Sequence, residues 1–411
     1  MQTRKKIYSL LRWSEKYTKT DMIYLVKGSF WLSSRQIIFS ICAFLTAIAF
    51  ARLLPKETYG EYKYILSITG ILAISALNRM DTAVILAVSR GFEKVTKDAI
   101  KIKIKWSILG SIIAIIFSSY FFKENNFTFG LSFLIAAISM PLMESSQIYL
   151  AYLNGKKLFN IHAKYSSAAR IITSTGLIAI IFLTKNIILI VLAHFLLYTI
   201  LRTYFLHKTL RKFPPNKKND PQFITYGKHL SFLRMILEMS NYLDKILVFK
   251  YLGAAQLAIY AFSISPVNQI TNILQNLRAI AMPKFSSGEE EKIKKTLPKK
   301  IIKAIFFTTT IYIIYIILAP YFYQIFFPQY LESIPYSRLF ALSLILFPVT
   351  LIPSYFVAKI KKKEVYFLEL SIPIIRVTLL FILTPIYGIT GVICAIIITN
   401  IANSIFSSYL F

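Results

Sequence analysis

Long apolar segments recur along the chain at intervals that predict membrane-spanning helices. Each holds roughly 20 mostly apolar residues, the length an α-helix needs to cross about 30 Å of hydrocarbon. Twelve such segments are predicted, over residues 28–52, 62–86, 106–122, 127–152, 165–183, 187–205, 230–251, 257–281, 301–320, 335–357, 365–384 and 388–410. The pattern predicts an all-α polytopic membrane protein.

The twelve predicted helices divide into two sets of six. The connection HKTLRKFPPNKKNDPQFITYGKHL, at 207–230, combines a proline pair with many charges, which is typical of a linker. The sequence therefore predicts an N-terminal lobe over 1–206, a cytoplasmic linker over 207–229 and a C-terminal lobe over 230–411. The stretches RLLPKETYGEY and KYLGAAQLAIY align at an offset of 198 residues. This offset predicts a pseudo-two-fold axis along the membrane normal, as in transporters built from parallel repeats.

Basic residues are concentrated in alternate connections. With a cytoplasmic N-terminus, 25 Lys and Arg residues fall in inner connections and three in outer ones. The positive-inside rule then predicts a multi-pass protein whose N-terminus is cytoplasmic. In a soluble protein the net charge of +30 would suggest nucleic acid as the partner. Its placement beside apolar segments instead argues against nucleic acid and for contact with anionic membrane lipids.

The overall composition is typical of a membrane protein and provides few residues for disulfide bonds or metal binding. Hydrophobic residues make up 56% of the chain and the mean hydropathy is +0.59. Cys42 and Cys394 both lie in apolar segments and the four histidines lack ligand spacing, so neither a disulfide framework nor a metal site is predicted. The N-terminal stretch MQTRKKIYSLLRWSEKYTK has no signal-peptide features. It predicts either an amphipathic segment on the membrane surface or a flexible tail.

Five arginines fall deep within the predicted helices. A charge in hydrocarbon costs roughly 2.5 to 3.5 kcal/mol, so five lipid-facing arginines would cost on the order of 10 kcal/mol. Snorkelling to the surface accounts equally well for three of them taken singly, those in helices two, five and eight. All five nevertheless map to the cytoplasmic half of helices from both lobes. Together they predict a wet, cationic cavity for an anion such as phosphate, lined by Arg35, Arg79, Arg170, Arg234 and Arg278.

Other polar residues lie in stripes on predicted helices seven and eight. Arg234 and Glu238, four residues apart on helix seven, have the spacing of an ion pair. The amides in these stripes could either form hydrogen bonds between helices or line a cavity, and the sequence leaves both roles possible. The amide candidates for ligand binding are Asn241, Asn268, Asn272 and Gln275. The candidates for binding a coupling proton or Na⁺ are Glu238, Asp244 and Asp81, unless these carboxylates simply pair with neighbouring arginines.

Two stretches carry a resemblance to a known family. FARLLPKETYGEYKYILSI at 50–68 and NYLDKILVFKYLGAAQLAIYAFSIS at 241–265 resemble the polysaccharide transporter family. This family, the bacterial O-antigen and capsule repeat-unit flippases, belongs to the multidrug/oligosaccharidyl-lipid/polysaccharide exporter (MOP) superfamily. Its pattern of an acidic residue, an apolar run, a glycine and a tyrosine is matched by Asp244, Gly253 and Tyr260. In helix count and lobe division the resemblance covers essentially the whole chain.

The resemblance implies a V-shaped pair of six-helix bundles in the bacterial cytoplasmic membrane. Such a protein moves a polyprenyl-diphosphate-linked oligosaccharide from the inner to the outer leaflet by alternating access, and it is a transporter rather than an enzyme. Arg35, Arg79 and Arg278 occupy helices that carry cavity arginines in this superfamily. The arginines would hold the diphosphate, and helices seven and eight would contact sugar hydroxyls. No cofactor is expected beyond a coupling H⁺ or Na⁺, and a polysaccharide polymerase or assembly complex is an expected partner.

Two other functions compete with this interpretation. A cation-coupled drug antiporter of the same superfamily would require an acidic cavity, which the arginine excess disfavours. A membrane polysaccharide polymerase or lipid-dependent glycosyltransferase would require a large external loop for its catalytic groups. The longest predicted outer connection, from about Tyr321 to Pro335, is too short for such a site.

Overall fold

The computed structural model describes the backbone of residues 22–287 and 289–411, and the side chains of residues 28, 30–275, 285 and 289–411. The predicted amphipathic segment at the N-terminus lies outside these residues. The N-terminal lobe comprises α1 (Met22–Leu53), α2 (Lys56–Leu72), α3 (Met80–Ser89), α4 (Val95–Lys123), α5 (Phe127–Ser146), α6 (Ile148–Gly155), α7 (Phe159–Leu183) and α8 (Ile187–Lys212). The C-terminal lobe comprises α9 (Phe223–Leu252), α10 (Ala254–Ser287), α11 (Glu290–Phe326), α12 (Ser333–Ala341), α13 (Ser343–Leu346), α14 (Leu351–Ala358) and α15 (Lys362–Leu410).

Breaks within helices reconcile these elements with about twelve membrane crossings. The helices α2 and α3 form one crossing, bent by 46° after a short 3₁₀ turn at Ala73–Ala76. The chain reverses within α15 at Gly388, whose φ of 56° suits glycine, and the ring of Phe367 lies 5.6 Å from that of Phe406. Seven helices in the described part of the chain are long and apolar enough to span a membrane, or eight with the bent pair. The predicted fold class is confirmed.

Several helices begin earlier than hydropathy predicts. The helix α9 begins at Phe223 and α8 continues to Lys212, so only residues 213–222 of the predicted linker are non-helical. Hydropathy detects the apolar part of a helix and misses charged turns that extend into water. Lys103 was predicted to lie in a loop, but it is 2% exposed within α4, with its Nζ 2.9 Å from Oδ1 of Asp81.

The hydrophobic cores show how the two lobes are joined. We call the end of the molecule that holds the basic connections the lysine-rich end, and the opposite end the lysine-poor end. At the lysine-poor end one core spans both lobes, as in the contact between the rings of Tyr59 and Phe262, whose centroids are 4.8 Å apart. Toward the lysine-rich end there are two cores, one built from residues 77–223 and the other from residues 285–368. The lobes therefore meet at the lysine-poor end and diverge toward the other.

One edge of the lobe interface stays closed along its whole length, and we call it the α2/α3–α9 seam. The close contacts along it run in antiparallel order. As the residue number rises in the N-terminal lobe, the number of the contacting residue in the C-terminal lobe falls. Glycines on both sides permit the approach, and a Cβ added to Gly70 would lie 2.5 Å from the ring of Tyr242. The contacts along α9 are Tyr64 with Phe249, Gly70 with Tyr242, Arg79 with Glu238, and Met80 with Gly227, and the seam ends at Gly60 against Ala254, the first residue of α10.

The connection between the lobes is tied to the N-terminal lobe through Glu93. Its carboxylate accepts hydrogen bonds from the Tyr152 hydroxyl at 3.0 Å and the Asn216 backbone N–H at 3.2 Å, and it pairs with Lys156 at 3.0 Å. Burial raises the pKa of Glu93, but these hydrogen bonds and the Lys156 charge outweigh that effect and hold the pKa below its usual value. The connection therefore has a fixed position on the N-terminal lobe.

Replacing Glu93 with alanine is expected to destabilise the protein by about 1–3 kcal/mol, because it leaves partly buried donors without an acceptor. The lowered pKa means that this contribution is present above the ordinary glutamate pKa of about 4.3 and is lost as the pH falls through the lowered value. Melting curves in detergent at pH 7 should show a lower Tm for E93A but not for E124A, since Glu124 is exposed. A gap between E93A and wild type that is equally large at pH 3 would contradict the assignment.

Candidate functional site

Two of the predicted arginines meet inside the N-terminal lobe. Arg35 on α1 donates from Nε to the Ser166 hydroxyl of α7 at 3.0 Å, and its guanidinium lies 4.3 Å from the centre of the Phe39 ring. Arg170 on α7 approaches the same ring at 5.6 Å and donates to the Tyr198 hydroxyl at 2.8 Å. Both side chains are half-buried. The packing of α1 against α7 therefore brings these two guanidinium groups to one aromatic ring.

Two further cations join them, and we call Arg35, Lys63, Arg170 and Arg202 the N-lobe basic cluster. The guanidinium of Arg202 on α8 stands 5.1 Å from the Tyr198 ring and 3.4 Å from a carboxylate oxygen of Glu144. Lys63 on α2 is close enough to Arg170 for their charges to interact. Glu144 is the one carboxylate that pairs with the cluster within the described residues. The cluster therefore carries a net charge of about +3 inside a membrane-spanning lobe.

Two other arginine candidates, Arg79 and Arg234, pair with carboxylates outside this cluster. Arg79 donates from Nε to Glu238 at 3.2 Å across the α2/α3–α9 seam. Arg234 pairs with Glu369 on α15, so the predicted pairing of Arg234 with Glu238 is wrong. The i,i+4 spacing permits that ion pair, but Arg234 and Glu238 each pair with a residue of another helical segment instead. Arg278 lies on α10, and its side chain is outside the described residues.

A polar pocket of about 430 Å³ lies within the C-terminal lobe, and we call it the C-lobe polar pocket. Three of the four amide candidates line it, namely Asn241, Asn268 and Gln275. Asn272 was predicted to share their face but is not among the lining residues, because the pocket follows positions i, i+3 and i+7 of α10 through Thr271. Charged groups occupy one side of the pocket, with Asp244, Lys245 and Arg376.

An apolar groove of about 510 Å³ separates α1 from α10 and α11. On the α1 side it begins at Ser40 and Ile41, directly after the Phe39 ring that Arg35 and Arg170 contact. Ile270 and Ile273 of α10 and Leu318 of α11 close its far side. Along α1 the groove therefore begins five residues beyond Arg35, about 8 Å along the helix axis.

The three carboxylates that were candidates for ion coupling all lie in ion pairs. Asp81 pairs with Lys103, and Glu238 pairs with Arg79 and accepts from the Asn78 amide at 3.1 Å. Asp244 is 2% exposed and accepts from the Tyr260 hydroxyl at 2.6 Å. Within the described residues no group of three His, Cys, Asp or Glu side chains is placed to hold a metal ion. Coupling to H⁺ or Na⁺ stays a prediction.

Comparison with known families decides the identity of the chain. The model of the polysaccharide biosynthesis protein family matches residues 25–289, which is more than half of the sequence. The chain belongs to this family. No curated protein matches it significantly in sequence.

Solved structures with the fold of this polysaccharide biosynthesis protein are MOP-superfamily transporters. The lipid II flippase MurJ in an inward closed conformation has a TM-score of 0.69 at 16% identity, over 93% of this chain and 87% of that one. An inward-facing multidrug resistance MATE transporter has a TM-score of 0.60 at 14% identity, over 90% and 92%. A MOP transporter from Pyrococcus furiosus, described as having a binding pocket of reverse polarity, has a TM-score of 0.58 at 14% identity, over 93% and 94%. The predicted membership of the polysaccharide transporter family is confirmed.

Lys63 and Arg202 were missed as site residues of this family member because of where the predicted helices ended. Helix two was predicted to begin at residue 62, which places Lys63 at the membrane surface, but α2 begins at Lys56 and carries Lys63 about 10 Å inward. Arg202 was predicted to lie near the end of helix six, although α8 continues for ten more residues to Lys212. A helix start signalled by Pro55 at the N-cap would have placed Lys63 correctly.

Proposed function

We propose that this protein is a flippase that moves a polyprenyl-diphosphate-linked oligosaccharide across the bacterial cytoplasmic membrane. The family supports a role in polysaccharide biosynthesis, and the fold is that of MOP transporters. The N-lobe basic cluster binds the diphosphate, and the prenyl chain stays in or beside hydrocarbon while the head group crosses. The lysine-rich end faces the cytoplasm, in accordance with the positive-inside rule.

The observation that carries this proposal is the uncompensated charge of the N-lobe basic cluster. A net charge of about +3 held partly out of water is costly unless a ligand or solvent balances it. Nε of Arg170 is buried and has no hydrogen-bond partner within the described residues, so the cluster holds a spare donor. A diphosphate offers several anionic oxygens, and the guanidinium fork matches their geometry. An organic cation, the substrate of the competing antiporter function, would be repelled.

The apolar groove supports a lipid-linked ligand over a free anion. It begins on α1 at Ser40, five residues beyond Arg35, so a ligand with its phosphates at Arg35 could extend its hydrocarbon along Ile41 and Phe44. Burying apolar surface there is worth about 25 cal/mol for each Å² removed from water. The adjacent polar and apolar sites therefore match the two ends of a prenyl diphosphate.

The arrangement of the lobes corresponds to one state of alternating access. The shared core seals the lysine-poor end, and the separate cores let the lobes diverge at the lysine-rich end. With the lysine-rich end in the cytoplasm, this conformation is ready to accept a ligand from the inner leaflet. Closure of the lobes at the lysine-rich end and their opening at the lysine-poor end would release the ligand to the outer leaflet.

Reconstitution into liposomes tests the proposal directly. A fluorescent polyprenyl-diphosphate disaccharide is incorporated in both leaflets, and a membrane-impermeant reductant quenches the label on the outside. We expect the protein to raise the quenched fraction from about half toward completion, while protein-free liposomes stay near half. Transport of tetraphenylphosphonium without movement of the labelled lipid would support the antiporter instead and overturn the flippase.

A further inference from the structure

The C-lobe polar pocket is built from groups that differ in kind from those of the N-lobe basic cluster. Ten uncharged amide or hydroxyl side chains line it, contributed by α9, α10, α15 and the segment between α12 and α14. Its volume of about 430 Å³ lies within the range of small-molecule sites, about 300–1,000 Å³. The lining residues with amide or hydroxyl groups are Asn241, Tyr260, Asn268, Thr271, Gln275, Ser343, Thr350, Asn400, Asn403 and Ser404.

Three of these amides have no hydrogen-bond partner among the described residues. Asn268, Gln275 and Asn400 line the pocket, and their side chains make no hydrogen bond within the described part of the chain. Asn268 and Gln275 are also exposed, so the pocket is open at α10. Amides in membrane helices usually hydrogen-bond to neighbouring helices, because lipid offers no partner. Three that instead face an open volume are suited to a ligand rich in hydroxyl groups.

The charges on the other side of the pocket do not balance. The buried Asp244 carboxylate lies 3.1 Å from Nζ of Lys245 and 3.9 Å from Nη2 of Arg376, so two cations share one carboxylate. Arg376 also donates from Nη1 to the Asn241 amide oxygen at 2.9 Å. Its Nε is buried and has no hydrogen-bond partner in the described part of the chain. The pocket therefore has a net charge of about +1.

We propose that the C-lobe polar pocket binds an acidic sugar of the transported glycan, with the amides on its hydroxyls and Arg376 nearest its carboxylate. This rests on the proposed flippase function and adds a substrate class to it. The protein then divides recognition between its lobes, with the diphosphate in the N-terminal lobe and the carboxylate-bearing sugar in the C-terminal lobe. A glycan with neutral sugars satisfies the amides but leaves the extra cation uncompensated.

Binding of monosaccharides to the full-length protein in detergent tests this division. Saturation-transfer NMR titrations with D-glucuronate and D-glucose give an apparent Kd for each, and calorimetry with inorganic pyrophosphate reports the other site. We expect glucuronate to bind about tenfold more tightly than glucose, because a hydrogen bond to a charged group is worth more than a neutral one. Equal affinity for the two sugars would overturn the role of the carboxylate.

Substitutions that keep side-chain volume locate the site. N268L and Q275L should weaken binding of both sugars by about fivefold or more, because each removes a hydrogen bond to the ligand. N272L is the matched control, since Asn272 lies on α10 between Asn268 and Gln275 but does not line the pocket. R376Q should abolish the preference for glucuronate while glucose still binds, which also shows that the pocket is intact.

The outcomes separate this inference from the proposed function. Pyrophosphate binding without binding of either sugar, or unchanged sugar binding in both N268L and Q275L, overturns the acidic-sugar site and leaves the flippase proposal standing. Sugar binding without pyrophosphate binding overturns the diphosphate site. Sugar binding that is weakened in N268L and Q275L and kept in N272L supports the inference.

Discussion

Alanine at Arg35 or Arg170 is expected to abolish transport of the labelled polyprenyl-diphosphate disaccharide while the protein remains folded. Each guanidinium supplies charge-assisted hydrogen bonds worth about 1.5–3 kcal/mol, so losing one weakens diphosphate binding by roughly tenfold to a hundredfold. Neither arginine forms an ion pair within the described residues, so its loss strands no buried carboxylate. The measurements are the liposome assay and the Kd for pyrophosphate.

Two substitutions make the result specific. R211A removes an exposed arginine of α8 and should transport like wild type. R234A removes an arginine that the sequence had placed in the same cavity, but its guanidinium is held by Glu369. We expect R234A to lower the Tm and to leave the Kd for pyrophosphate within about twofold of wild type. Wild-type transport by both R35A and R170A would remove the diphosphate site.

Adding a single methyl group at Gly60 is expected to open the seal between the lobes. A Cβ there would lie 1.8 Å from the carbonyl oxygen of Ala254. A backbone atom cannot move away from this clash as the end of a flexible side chain can. G60A should therefore push α2 from α10 at the lysine-poor end and reduce transport at least about tenfold, because overpacking costs about 1–3 kcal/mol or more. Loss of the seal would also expose residues that the shared core now covers.

A buried serine reports the opening. Ser263 is fully buried on α10 beside Phe262, and S263C is a small change. After Cys42 and Cys394 are replaced, a membrane-impermeant maleimide should label S263C slowly in the parent and rapidly in G60A. G176A is the control, because its Cβ would meet only the Leu197 side chain, 2.6 Å away and free to rotate. Equal labelling in G60A and the parent would show that the seal does not depend on this contact.

Hydropathy and charge were enough to predict the all-helical fold and its two lobes, since the bilayer imposes helix length and loop charge directly. They could not place the bends. The break between α2 and α3 depends on Leu77 in a left-handed conformation, a feature that no local pattern signalled. The extended helix starts at Lys56 and Val95 were also missed, because charged turns beyond the membrane contribute nothing to an apolar window.

The structure brings together only some of the residues proposed from the sequence for the binding site. Arg35 and Arg170 lie at one aromatic ring, and their role in binding stays a prediction. Whether an arginine joins the cluster depends on whether a carboxylate on another helix forms an ion pair with it. Glu238 and Glu369 reach Arg79 and Arg234, and spacing along one helix carries no information about such partners.

The α2/α3–α9 seam restricts how a lipid-anchored molecule can approach. Its contacts run from Gly60 to Gly227, so in the proposed alternating access the lobes would turn apart about that edge. Sideways passage from the bilayer is then confined to the opposite edge, where the groove separates α1 from α10. An enzyme that delivers a finished glycan directly would have to dock against α1, and a bulky label on the exposed Ile37 or Ile41 should obstruct delivery without touching the seam.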